Sequence, residues 1–319
     1  MRRPSARSGS VARWAVLALA LALFAGGCQG RRDPTPAAAL GDPSLQGARA
    51  ALEAYLQARR SLDWARVYEL LSARARKAYR LEDLKAFFES YVAYGYREVG
   101  EPREEDPGWV RFPVRGVRWE LEGAPPLEGR EWWVTLRYEE GRWGVGLADP
   151  LVERAREAAR RGDVATLGQV ADTMLAIDPW SYRAHVQKAQ ALAFGGQREA
   201  AAVELDQAYR VVPEELRGEV LIQFGNLFRA LGQPPLAARA YRDALASVDR
   251  YPDFYSASFA AAVRLSLAQV QILTGDLEGA AREAAVALVL DPGDVVGNLL
   301  AVDLAVLTEQ VGPVAPAAP

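Results

Sequence analysis

Acid–base chemistry near neutral pH favours histidine, and the sequence has a single one, His185. Other side chains able to carry protons sit in the first half: Tyr55, Asp63, Tyr68, Glu120 and Tyr138. No spacing marks any two of them as an acid–base pair. Arg111, Arg115 and Arg118 fall in a stretch of alternating character and read as the solvated side of a strand, not as an anion site. The one cysteine, Cys28, closes a run of apolar and small residues near the start. On this inventory the chain is expected to be no enzyme and to use no cofactor and no metal. Its function must lie in what its elements hold and present.

The residues before Cys28 decide where the chain works. Arg2, Arg3, Arg7 and Arg13 precede an apolar run from Trp14 to Gly27, with no acidic residue among them. A basic start, an apolar middle and small residues at the close make a secretory signal. A spanning helix needs about 20 apolar residues, whereas this run is shorter and ends on side chains small enough for a signal peptidase. Ala25-Gly26-Gly27-Cys28 resembles a bacterial lipobox, with Ala25 where that pattern usually has Leu and with Leu23 and Phe24 just upstream.

That resemblance implies that residues 1–27 are removed and that the Cys28 sulfur carries a diacylglycerol. The mature lipoprotein is then held outside the cytoplasm, at the cell membrane or at the outer membrane of a host that has one. Two or three acyl chains such as palmitate, at about 0.8 kcal/mol per buried CH₂, anchor a protein stably. With the thiol acylated, no disulfide, cysteine-bound metal or cysteine nucleophile is left.

Removing the leader takes four arginines and no acids, so the mature chain has 34 basic and 41 acidic residues, a net charge of −7. A mildly acidic surface argues against nucleic acid and against electrostatic adhesion to anionic lipid. Residues 28–46 hold Pro34, Pro36 and Pro43 among small and polar residues and are expected to form a flexible tether. Residues 312–319 are expected to be a frayed tail. What remains is enough for two domains.

The strongest internal signal is a repeat. Gly162, Gly196, Gly232 and Gly275 are spaced by 34, 36 and 43 residues, and Pro179, Pro213, Pro252 and Pro292 follow them where a helix must stop. From Tyr182 to Pro213, Ala189, Leu192, Gly196, Ala201, Leu205 and Ala208 form a pattern that resembles the tetratricopeptide consensus, whose period is roughly 34 residues. Two antiparallel helices approach closely only if one side of their contact is Ala or Gly and a bulky neighbour fills the adjacent groove. The next unit repeats this with Leu221, Phe224, Gly225, Phe228, Ala237, Tyr241 and Ala244. A third, around Gly275, carries Gln271 where a large apolar residue is customary. The first, around Gly162, has Leu167 and Met174 where Ala is usual, as befits a terminal repeat with one face lacking a neighbour. Residues 295–310 supply a last amphipathic helix that would cap the stack.

The resemblance implies a solenoid whose first helices line a groove for an extended peptide or protein. The side chains placed there are Arg183, Val186, Gln190, Glu219, Ile222, Asn226, Arg229, Leu265 and Gln269, with Asn226 expected to bond a bound peptide's backbone. His185 falls where that consensus places a bulky aromatic, which implies packing and not catalysis.

In the first half, Leu52, Tyr55, Leu56, Trp64, Val67, Tyr68 and Leu71 recur at helical spacing, with Ser61 or Asp63 as a cap, and Leu81 to Val92 reads as a third helix. Val110, Phe112 and Val114 then alternate with polar neighbours, and Val117, Trp119 and Leu121 resume on the other phase after Gly116, as a bulge would produce. Val134, Leu136 and Tyr138, then Trp143, Val145 and Leu147, read as a hairpin around Glu139 to Arg142. Helices followed by a curved antiparallel sheet with an aromatic final hairpin resemble the cone-shaped nuclear transport factor 2-like superfamily, in which the cone serves as an enzyme pocket, a protein-binding surface or a spacer.

The expected organisation is a signal peptide (1–27), a lipidated tether (28–46), an α+β cone-like domain (47–148), an all-α tetratricopeptide solenoid with a capping helix (149–311), and a tail (312–319). The expected function is a non-catalytic, membrane-anchored adaptor for an exported or envelope protein or peptide. The alternative is a small-molecule-binding or weakly catalytic cone assembled into an envelope complex by the repeats. A buried carboxylate beside a tyrosine inside the cone would favour the alternative, and a cone plugged by Trp132, Trp133 or Trp143 would disfavour it.

Overall fold

The computed structural model describes residues 40–122 and 126–293. The signal segment, Cys28, most of the expected tether, the expected capping helix and the tail lie outside the described residues.

Helix α1 (Leu45–Arg60) starts at Ser44, whose hydroxyl accepts the Gly47 N–H, and buries Ala48, Ala51, Leu52, Tyr55 and Leu56 along one stripe. Asp63 caps α2 (Trp64–Glu69) by accepting the Arg66 N–H at 3.0 Å. Two short helices follow, α3 (Ala73–Ala78) and α4 (Leu81–Phe87). The helix expected to run to Val92 stops at Phe87, because the aromatic and β-branched residues beyond it enter strand β1 (Tyr91–Gly95), where such side chains pack better.

The sheet is six-stranded and antiparallel. Its spine is β4 (Trp109–Leu121), paired on one side with β5 (Leu127–Glu139) and on the other with β3 (Arg103–Asp106), β2 (Glu98–Val99) and β1 in turn. Strand β6 (Arg142–Val145) follows β5 through a tight hairpin with Glu140 and Gly141 both at positive φ, the twist a two-residue turn needs. Its outer edge is covered by residues 70–72, whose backbone bonds to Val145. The bulge expected at Gly116 is absent from the β4–β5 ladder, which keeps its register from Arg115 opposite Glu131 to Val117 opposite Gly129. The side-chain phase changes because Gly116 adopts φ +59°.

Residues 40–46, expected to belong to the flexible tether, are instead held against the sheet. The Tyr138 hydroxyl donates to Gly41 O and the Trp143 indole to Asp42 O, and Leu40 is buried. The chain is thus pinned to the sheet by residue 40, ahead of the boundary expected at residue 46, because aromatic donors on the last hairpin offer its carbonyls partners that solvent would otherwise supply.

After a 3₁₀ turn (Asp149–Leu151), four helix pairs follow among the described residues: α5 (Val152–Arg160) with α6 (Val164–Ile177), α7 (Tyr182–Phe194) with α8 (Arg198–Val211), α9 (Arg217–Ala230) with α10 (Pro234–Arg250), and α11 (Ala257–Thr274) with α12 (Leu277–Leu290). All four turn glycines, Gly162, Gly196, Gly232 and Gly275, take positive φ, which explains their recurrence. The seams are small-residue contacts: Ala189, Ala201, Leu205 and Ala208 are buried in the second pair, and Ala237, Tyr241 and Ala244 in the third. Each second helix packs on the next first helix, and successive first helices touch one another. This is a stack of helical hairpins, with the first helices forming one continuous wall.

The first pair departs from the repeat pattern for a reason other than a missing neighbour. Leu167, Met174 and Ile177 are fully buried in the same core as Leu71, Phe112, Leu136 and Val145 of the sheet half. Large side chains replace alanine there because the neighbouring surface is a sheet and its covering helices, not another helix. The change of secondary structure at residue 148 is therefore not a break in the core.

A β-carbon added at Gly225 would collide with the Tyr241 ring, whereas one at Gly232 meets open space and strains only the backbone. Gly225→Ala is expected to cost up to about 3 kcal/mol by overpacking, and Gly232→Ala a smaller amount, about 1–2 kcal/mol, by left-handed backbone strain alone. Urea unfolding of the two variants checks this order.

Candidate functional site

The outer face of the sheet meets the edge of the repeat stack, and β5 makes the contact. The Thr135 hydroxyl donates to Asp178 Oδ1 (2.9 Å) in the turn after α6. The Arg130 N–H donates to Glu215 (2.9 Å) in the turn after α8, and the Arg130 guanidinium lies over the Tyr251 ring in the turn after α10. One strand thus reaches three successive inter-repeat turns. Gly146 lies close enough to the Ile177 carbonyl that a side chain there would not fit.

A ladder of alternating cations and rings strengthens this joint. The Arg103 guanidinium lies 4.7 Å from the Trp133 ring centre, and Arg111 lies 5.0 Å from Trp133 and 5.3 Å from Trp180. Trp180 in turn meets Trp109 edge-on at 5.7 Å, and Arg137 covers Trp109. Such contacts contribute about 0.5–2 kcal/mol each, more when water is excluded. Trp180 sits in the Asp178-Pro179-Trp180 turn, where proline ends α6 and directs the indole toward the sheet. Arg111, read from sequence as solvated, is only 9% exposed, because this turn and Trp133 cover it. Arg115 and Arg118 do face solvent, ion-paired to Glu98 and Glu131 and to Glu120 and Glu128.

Burial pushes the Asp178 carboxyl up to about 6, against the opposing pull of the Thr135 hydroxyl, the Trp180 N–H and the Arg111 charge. Burial likewise lowers the Arg111 pKa, with Asp178 and Glu105 opposing. Between β5 and the turns after α6 and α8 lies a cavity of about 400 Å³, walled by Arg103, Arg111, Trp133, Asp178, Trp180 and Arg210 among others. A second hollow of about 540 Å³ lies at the sheet's rim beside Glu104, Glu105 and Asp106; Tyr138 and Trp143, which also line it, already bond the backbone of residues 41 and 42. Among the described residues, no group of three His, Cys, Asp or Glu side chains is arranged to hold a metal ion.

The side chains expected to line the groove are spread over three first helices, and several are engaged with one another. Arg183 pairs with Asp149 (2.8 Å) and donates to the Tyr182 oxygen, while the Tyr182 hydroxyl donates to Glu219 (2.9 Å). Gln190 donates to Gln223 (3.0 Å). The Tyr182–Glu219 and Gln190–Gln223 bonds cross from one first helix to its neighbour and seam the wall. Asn226 accepts the Tyr241 hydroxyl at 2.7 Å, a bond within its own helix pair. Val186 and Leu265 are buried in the packing between helices. Arg229 is exposed, and Ile222 and Gln269 are partly so. Cys28 lies outside the described residues.

His185 is a polar bridge where an aromatic was expected. Its Nδ1 meets Glu204 at 2.7 Å and its Nε2 meets the Pro179 carbonyl at 2.9 Å, so α7 is tied to α8 and to the turn before it. The sheet half's acid–base candidates are dispersed. Asp63 caps α2, Tyr55 is fully buried, the Tyr68 hydroxyl bonds backbone oxygens of Arg76 and Tyr79, Tyr138 bonds Gly41, and Glu120 pairs with Arg118. The inner face of the sheet is filled by Leu52, Tyr55, Phe112, Leu136 and Trp143. Sequence reasoning missed Arg111, Asp178 and Trp180 as a group. The signal available was Trp180 itself, a large ring in an inter-repeat turn.

No family model and no curated protein matches the chain. Among solved structures, a thermophilic TPR protein of Thermus thermophilus aligns at 22% identity over 50% of this chain and 82% of that one, with a TM-score of 0.44. Pseudomonas aeruginosa PilF aligns at 18% identity over 51% and 69%, also at 0.44. YrrB, a TPR protein with an unusual peptide-binding site, aligns at 18% identity over 51% and 79%, at 0.36. The first and third of these are described as TPR proteins, and scores this low carry no argument. The hairpin stack rests on this chain's own packing.

Because the folded pKa of Asp178 is raised, its contribution to stability is present at pH 4 and is lost as pH rises through about 6. Asp178→Asn keeps the acceptor for Thr135 and Trp180 without the charge. At pH 7 the variant is expected to exceed the wild type by up to about 3 kcal/mol, the gap closing toward pH 4. Urea midpoints at the two pH values measure it, and an equal deficit at both would show that the carboxylate is not desolvated in the joint.

Proposed function

We propose that this protein is a membrane-anchored, extracytoplasmic adaptor that binds an exported or envelope protein or peptide along the wall of first helices. The observation that carries the reading is the contact between successive first helices, reinforced by the Tyr182–Glu219 and Gln190–Gln223 bonds. A wall held in one curvature before a partner arrives avoids ordering costs on binding. The Ala25–Cys28 pattern and the basic, then apolar leader support acylation of Cys28 and export. The first half, read as a relative of the nuclear transport factor 2-like domains, serves as a spacer and splint. The filled inner face of its sheet favours this over a small-molecule or catalytic cone.

On this reading the contacts come from the wall residues that are exposed or partly so, Ile222, Arg229 and Gln269, while Arg183, Gln190, Glu219 and Asn226 maintain its shape. Two measurements test it. Cys28→Ala is expected to move the protein from the membrane to the soluble fraction and to abolish incorporation of labelled palmitate. Affinity capture from envelope extracts is expected to fall about fivefold or more for Arg229→Ala combined with Gln269→Ala, at a temperature where circular dichroism shows the variant folded. Undiminished capture by the double variant would remove the groove from the account.

A further inference from the structure

The polar groups around the junction cavity are unequally satisfied. Each carboxylate that lines it has a partner: Glu131 pairs with Arg115, Asp149 with Arg183 and Glu214 with Arg250, while Glu215 accepts the Arg130 N–H and Asp178 accepts from Thr135 and Trp180. The unmet groups are donors. Arg111, nine-tenths buried with its guanidinium between Trp133 and Trp180, pairs with Glu105 through one terminal nitrogen (3.4 Å) but has its Nε without a hydrogen-bond partner. Arg103 and Arg130 also line the cavity, and among the described residues neither side chain has a carboxylate within 4 Å; Arg103 lies against the Trp133 ring and Arg130 against the Tyr251 ring, with the Glu214 charge farther off.

A buried donor left unpaired is costly, the more so when charged, so a fold that keeps one beside a hollow lined by further arginines is matched to an acceptor that fills it. We propose that the cavity between β5 and the inter-repeat turns is a binding site for a carboxylate-bearing ligand. The carboxylate lies against the Arg103, Arg111 and Arg130 side, and the apolar remainder lies on the Trp133 and Trp180 rings. A volume of about 400 Å³ accommodates a short peptide end or a small organic acid. Arginine suits this role because its planar fork meets both oxygens of a carboxylate. The cavity abuts the wall at Tyr182, but Arg103, Arg111 and Arg130 belong to the sheet and not to the wall, so a chain that captures nothing along the wall still passes or fails here on its own.

The test is calorimetric titration of the full-length protein with three hexapeptides: alternating Ala and Glu with a free C-terminus, the same sequence amidated, and alternating Ala and Gln amidated. The acidic peptides are expected to bind and the Gln peptide not to. Arg103→Ala with Arg130→Ala is expected to weaken the acidic peptides about tenfold or more; because the variant also loses two ring contacts, the titration is run well below its melting temperature, where circular dichroism shows it folded. Binding of the free but not the amidated acidic peptide assigns the site to a terminal carboxylate, and equal binding of both assigns it to acidic side chains. No binding of either at about 10 mM, equal binding of the Gln peptide, or unchanged affinity in the double variant overturns the proposal.

Discussion

Hydrogen bonds from a single strand to successive turns of the helical stack set the geometry of this protein. Thr135 holds the turn after α6, and the Arg130 backbone and guanidinium reach the turns after α8 and α10. In a free solenoid each hairpin touches only its neighbours, so small rotations accumulate and the superhelix flexes. Here the strand acts as a splint along one edge. The wall of first helices on another side of the same hairpins inherits that rigidity, and any partner meets a surface already shaped.

The splint is built from groups that are costly to bury. Asp178 and Arg111 both lose solvation in the joint, and each is shifted toward its neutral form by that loss. What offsets the cost is a dense set of directed contacts: two donors to Asp178, and aromatic faces on both sides of the Arg111 guanidinium. Apolar residues of similar size would bind the two halves as tightly, but they would tolerate sliding of the sheet over the turns. Hydrogen bonds and stacked rings tolerate little, which suits an interface whose task is alignment.

The same logic governs the wall. Polar residues on first helices can either wait for a guest or bond each other, and here Tyr182, Glu219, Gln190 and Gln223 bond each other across the seams. Specificity toward a guest is thereby left to a smaller set of side chains and, at the other edge, to the donors of the junction cavity. The two surfaces belong to the same hairpins, so occupation of either bears on a scaffold the sheet has already stiffened.

Local sequence was enough for whatever depends on backbone geometry and near-neighbour packing. The left-handed glycines at 162, 196, 232 and 275, the small-residue seams at Ala189, Ala201, Ala237 and Ala244, the Asp63 cap and the Glu140–Gly141 hairpin all follow from short-range constraints, and each was readable from residue type and spacing. What required the tertiary structure was every property set by a surface distant in sequence. Leu167 and Met174 looked like imperfect repeat residues until the sheet half appeared beside them. Arg111 looked solvated because alternation along a strand identifies two faces but not what covers the second. Val186, Leu265 and Asn226 occupy places where a groove was expected, yet their nearest surroundings are other helices of the stack. The physical reason is common to all of them: periodicity tells which side of an element a residue is on, while burial and bonding depend on which element, brought from far along the chain, lies against that side.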